Sequence, residues 1–138
     1  MMKRWLAFLT LSCLLTFMLL ACRTLAPAGS GTAGTATPAA LGPTVHMNST
    51  NFVQTEITIH KGQSVRLIND DPLTPHIIAN GTWEHGTAKP AREPHAPAAS
   101  NVQINRNAQA TIGPFTTAGT FHFYCPIHPG MELAVIVQ

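Results

Sequence analysis

Residues 121–131 read FHFYCPIHPGM. Phe121, Phe123 and Cys125 alternate with His122 and Tyr124, the period of a strand whose successive side chains point to opposite faces. The strand therefore delivers Cys125 at its end and turns His122 away from it. Cys125, His128 and Met131 then follow at steps of three, separated by Pro126 and Pro129. A thiol, an imidazole and a thioether are gathered in one tight loop after an aromatic strand.

Strand signals dominate outward from this stretch, from Thr44 to Gln138. EITIH puts Ile57 and Ile59 on one face, and Lys61-Gly62 reads as a turn. SVRLIN puts Val65 and Leu67 on one face. HIIAN runs to a second turn signal at Asn80-Gly81. NVQIN and ATIGPF are short strands, and LAVIVQ closes the chain. Residues 86–100, with Pro90, Pro94 and Pro97, read as a long loop across one end or edge. No stretch after residue 44 carries a 3.6 period. Seven to eight short strands in about 95 residues imply an all-β antiparallel sandwich.

The beginning of the 138-residue chain reads differently. Lys3 and Arg4 precede an apolar run from Trp5 to Ala21, shorter than the roughly 20 residues of a spanning helix. The run closes on Leu19-Leu20-Ala21-Cys22, which resembles a bacterial lipobox, with Cys22 the lipidated new N-terminus. An uncleaved anchor or ordinary signal cleavage are the alternatives, and all three export the domain. Arg23 to Pro43 is a Gly, Ala, Thr and Pro mixture without hydrophobic period, a flexible tether of roughly 25 Å if it behaves as a coil. The expected organisation is a lipoprotein signal peptide over 1–21, a linker over 22–43 and a folded domain over 44–138.

Export sharpens the meaning of the cysteines. The chain has three. Cys13 leaves with the signal and Cys22 carries lipid, so Cys125 has no partner for a disulfide. A lone thiol outside the cytoplasm is an oxidation liability unless something uses or protects it. Net charge is +2 for the whole chain. Beyond Ala21, six basic residues (Arg23, Lys61, Arg66, Lys89, Arg92, Arg106) balance six acidic ones (Glu56, Asp70, Asp71, Glu84, Glu93, Glu132). That balance gives no basic face for nucleic acid.

Copper chemistry accounts for the loop. A thiolate with imidazoles forms a trigonal set for copper, and a thioether serves as a weak axial ligand. The set needs one further histidine. His76, in DDPLTPHII where a loop runs into a strand, is the best candidate, 49 positions before Cys125. Zinc gains little from a thioether, and a two-copper centre needs a second cysteine. A buried cysteine with an incidental His and Met is the plain alternative, and the spacing and the unpaired exported thiol argue against it. His46, His60, His85, His95 and His122 read as surface or strand-edge residues, and Met47 as packing. Trp83 either covers the loop side of the domain or fills the core.

GTFHFYCPIHPGM resembles the last strand and ligand loop of the cupredoxins, the plastocyanin and amicyanin class of blue-copper proteins. The short spacing is most similar to amicyanin. TPH at residues 74–76 resembles the upstream ligand loop, and KGQSVRLIND the strand leading to it. The resemblance implies an eight-stranded Greek-key sandwich and one mononuclear copper. It implies His76, Cys125 and His128 as equatorial ligands, Met131 as the axial one, and outer-sphere electron transfer. Ile77 stands where such proteins commonly carry an Asn that ties the two ligand loops, so that tie is expected to be missing. Two amide donors to the Cys125 sulfur are expected, from Ile77 and Ile127, because Pro126 stands one place earlier than the usual proline.

The parts of an enzyme are missing from this sequence: it has no His-x-His pairs for further copper centres, no Ser-His-Asp order and no phosphate loop. A non-enzymatic electron carrier is the expectation, lipid-anchored on the extracytoplasmic face of a bacterial membrane, monomeric, and working with a redox protein donor and acceptor. Copper delivery or resistance is the alternative. Storage is disfavoured because only Met47 and Met131 remain as methionines after Ala21.

Overall fold

The computed structural model describes residues Ala40–Gln138. The signal segment, Cys22 and most of the linker lie outside the described residues. Nine strands and no helix are found among the described residues: β1 (Ala40–Met47), β2 (Glu56–Ile59), β3 (Gln63–Asn69), β4 (His76–Glu84), β5 (Thr87–Pro90), β6 (Val102–Ile104), β7 (Gln109–Ile112), β8 (Gly119–Tyr124) and β9 (Glu132–Val137). They form two sheets, β1-β3-β7 and β2-β9-β8-β4-β5, with β6 also on β4.

The sheets are mixed rather than wholly antiparallel. β1 runs parallel to β3, and β2 parallel to β9. Parallel neighbours cannot be joined by a hairpin. The chain solves this by sending β2 into the opposite sheet before β3 returns beside β1. The expected linker also ends earlier than Pro43, because Ala40–Pro43 open β1. A proline is tolerated there because β1 is an edge strand, and the register shifts between Leu41 and Thr44.

Alternation builds the core as the sequence suggests. Val65 and Leu67 of β3, Ile78 of β4, Phe121 and Phe123 of β8, and Leu133 and Val135 of β9 are all buried. Phe115 sits between the sheets, its ring 5.7 Å from Phe121 and 6.0 Å from Phe123. Truncating a fully buried Phe in such a cluster costs about 3–5 kcal/mol. This core gives the ligand strands β4 and β8 a stiff support.

Two features of β4 differ from expectation. Asn80-Gly81 is not a turn: the strand runs on to Glu84 and pairs with β5 over Gly81–Glu84. The turn comes at His85 and Gly86, with φ of 50° and 75°, the positive pair a tight two-residue hairpin needs. The expected long loop is correspondingly shorter, since Thr87–Pro90 is β5. Its remainder is strapped down. Asn80 accepts from Ala99 N–H at 2.7 Å and donates to Pro97 C=O at 3.1 Å, and Glu93 lies 2.7 Å from His122 Nδ1. That pairing, on the face opposite Cys125, is where strand alternation puts His122.

Candidate metal centre

Cys125 leaves β8 at 0% exposure. Two consecutive turns follow. His128 N–H donates to Cys125 C=O at 3.2 Å, and Met131 N–H donates to His128 C=O at 3.1 Å. Each turn spans three steps of chain, so the spacing of three in the sequence places a donor side chain at every corner. Pro126 and Pro129 occupy the second position of each turn, where a fixed φ suits them. Gly130 takes the third position of the second turn at φ 81°, the left-handed conformation a type II turn requires. Cys125 N–H closes the loop on Met131 C=O at 3.1 Å. Met131 is fully buried and tied by its backbone to both other corners.

The upstream loop is held by side chains. Asn69, fully buried at the end of β3, donates to Thr74 C=O at 2.7 Å and to Asn105 C=O at 3.1 Å. Its Oδ1 accepts from Asp71 N–H at 3.0 Å. Asp71 Oδ1 accepts from Leu73 N–H at 2.6 Å and Thr74 N–H at 2.8 Å, and these two amides hold its carboxyl below the usual range. Asn69 therefore binds the upstream loop to the β6–β7 turn, a different connection from the tie between the two ligand loops that Ile77 lacks. The sequence carries part of this signal, since an Asp ahead of Pro-Leu-Thr is a turn former through its own side chain.

His76 arrives at the start of β4 with 0% exposure. Its Nε2–H donates to Asn48 C=O at 2.8 Å, which leaves Nδ1 as the bare nitrogen of the neutral ring. That Nδ1 is buried without any hydrogen-bond partner. Burial pushes the His76 pKa down, the Asn48 contact opposes it, and the neighbouring His128 lowers it further. A neutral ring with an unpaired inward lone pair is what a metal ligand requires.

The loops converge. The ligand atoms of His76, Cys125 and His128 all lie within 4.8 Å of one another, and Cys125 Sγ is 3.3 Å from His128 Nδ1. The two imidazoles meet edge to face with ring centroids 4.7 Å apart. A buried polar atom without a partner is costly. One soft cation bound by Nδ1 of each ring and by the thiolate would satisfy all three donors, so the residues present fit copper. The sequence names His76, Cys125 and His128, which the structure brings together, but not the supports Asn48, Asn69 and Asp71; of the two readings of Trp83, the one that covers the loop side fits its bond to Cys125 C=O. Around the sulfur, the structure places His128 Nδ1 at 3.3 Å, and the loop that carries it closes through the backbone.

The family described as copper binding proteins, plastocyanin/azurin family, matches residues 40–138. The chain belongs to this family of cupredoxins, and copper is its cofactor. Among solved structures, amicyanin from Paracoccus versutus is similar at 21% identity over 75% of this chain and 86% of that chain, with a TM-score of 0.52. A reduced amicyanin mutant is similar at 20% identity over 75% and 87%, with a TM-score of 0.52. The reduced Cu(I) form of another amicyanin mutant at pH 4 matches at 20% identity over 78% and 89%, with a TM-score of 0.51. These likenesses show the fold. A comparison with curated proteins finds no match.

Proposed function

We propose that the chain is a type 1 copper protein acting as a membrane-tethered one-electron carrier, in which His76, Cys125, His128 and Met131 would hold the copper. The observation that carries this reading is the convergence of three donors within 4.8 Å around a His76 Nδ1 that has no other partner. Bound copper supplies a one-electron couple, and everything else is the work of the chain. His76 and Cys125 are sealed from water, and their loops are fixed by hydrogen bonds within the chain. A site that need not rearrange keeps the cost of changing oxidation state small. His128 is only partly buried. Leu73 at 78% exposure and Ile127 at 47% flank the ligands in sequence, and with Pro75, Pro126 and Pro129 they supply apolar surface for a redox partner. Such a surface excludes water at contact without demanding tight binding.

Reversible voltammetry and electron self-exchange of the copper-loaded protein test the carrier reading. Fast self-exchange with one reversible wave supports it. Transfer of copper to an apo acceptor without a reversible wave would instead make the chain a delivery protein, and the sealed His76 and Cys125 favour retention. The tether rests on the sequence around Cys22. Cys22→Ala is expected to move the protein from the membrane to the soluble fraction; tight membrane association of a processed alanine variant would refute the anchor.

A further inference from the structure

Tyr124 and the Cys125 carbonyl are covered by the β4–β5 hairpin. After Gly81, β4 no longer pairs with β8, and the β4–β5 hairpin folds over Tyr124. Gly81 has φ 134°, and a Cβ there would run into Lys89 C=O and approach Tyr124 Cε1 to 2.9 Å. Only glycine permits this approach. The fold-over places the Trp83 ring edge-on to Tyr124 at 6.0 Å, and Tyr124 is buried at 3% exposure although strand alternation points it outward.

Trp83 makes two further contacts, each to a part of the ligand loop. Its indole Nε1–H donates to Cys125 C=O at 3.2 Å. Its backbone N–H donates to the carboxylate Oε1 of Glu132, the residue after Met131. A carbonyl oxygen has two lone pairs. One at Cys125 closes the first turn with His128 N–H, and the indole takes the other. The Cys125 N–H is spent on Met131 C=O. The peptide groups flanking the thiol are thus fixed from inside by the loop and from outside by one side chain.

We propose that Trp83, anchored by Glu132, is a positioning residue that clasps the ligand loop and holds the Cys125 thiolate in place for copper. This rests on the copper reading of the site, yet every contact of the clasp is made between groups of the chain itself, which separates the two in experiment. The indole N–H also directs the positive end of its dipole toward the Cys125 peptide. That favours the less positively charged, reduced state of the site.

The test uses the full-length protein. Metal-free wild type, Trp83→Phe, Glu132→Leu and Glu132→Gln are labelled with a thiol reagent under native conditions, and modification is read by mass spectrometry on the Cys125 peptide. Val65→Ala, in the other sheet, serves as a control for global destabilisation. Loss of one hydrogen bond makes local opening roughly fivefold more frequent. Trp83→Phe and Glu132→Leu should therefore label roughly fivefold faster than wild type. The increase should exceed that of Val65→Ala after correction for global stability, and Glu132→Gln, which keeps an acceptor, should label like wild type. Copper-loaded Trp83→Phe should also have a lower reduction potential. Labelling no faster than the control, with the potential unmoved, would overturn the clasp. If Trp83→Phe does not fold, the contrast between Glu132→Leu and Glu132→Gln decides. If the wild-type copper complex lacks a thiolate band, the copper reading fails while the labelling comparison still judges the clasp.

Discussion

The two ligand loops are fixed by opposite means. The upstream loop, from Asn69 to His76, is held by its own polar side chains: Asn69 reaches Thr74 and the distant Asn105 C=O, and Asp71 gathers the amides of Leu73 and Thr74. The downstream loop, from Cys125 to Met131, is held chiefly by its own backbone through two successive turns and one closing bond, with the Trp83 indole added from outside at Cys125 C=O. The first kind of loop depends on particular polar residues being present. The second depends on spacing and on backbone conformation at a few positions. Copper ligands drawn from both loops are thereby placed by two independent mechanisms, and damage to one loop should leave the other intact.

The largest expected break in this symmetry is Asn69→Ala. It removes three hydrogen bonds from a fully buried position and leaves two carbonyls without their donor. A loss of about 3 kcal/mol in apo-protein stability is expected, at roughly 1 kcal/mol for each bond. Chemical denaturation measures it, and a loss below about 1 kcal/mol would show that the upstream loop does not depend on Asn69.

Gly130→Ala probes the downstream loop and should cost less. No atom lies within 4 Å of the added Cβ, so the penalty is only that of a non-glycine residue at φ 81°. That conformation costs about 1 kcal/mol. A neutral result would mean that the second turn is not held in its left-handed form in solution.

A graded effect sharpens the contrast on the upstream side. The His76 pKa is lowered in the folded protein, chiefly by burial. As pH falls through the unfolded value of about 6.5, the unfolded chain takes up a proton that the folded chain refuses. Apo stability should therefore decline between about pH 6.5 and the lower folded pKa, then level off. His76→Gln keeps a donor for Asn48 C=O and should flatten that part of the slope in a pH series of denaturation curves.

The same division explains what could be read from the sequence. The downstream loop is contiguous, so its donors, its prolines and Gly130 stand together in CPIHPGM. The strands were legible where alternation is strict, as in SVRLIN and LAVIVQ. The upstream loop announced its ligand by TPH, but its supports Asn48, Asn69 and Asn105 are scattered and carry no local period. Parallel pairing of β1 with β3 and of β2 with β9 was invisible because partner choice is a long-range property. Tyr124 faces outward by alternation as expected, yet it is buried because a hairpin bends at Gly81, and nothing local to either residue states that.

The visible spectrum of the full-length protein loaded with Cu(II), read beside its Cys125→Ser variant, tests the copper site most directly. The four donors, with Cys125 as a buried thiolate, predict an intense thiolate-to-copper charge-transfer band in wild type that the serine variant loses entirely. A wild-type copper complex without that band, or a band that survives Cys125→Ser, would contradict it.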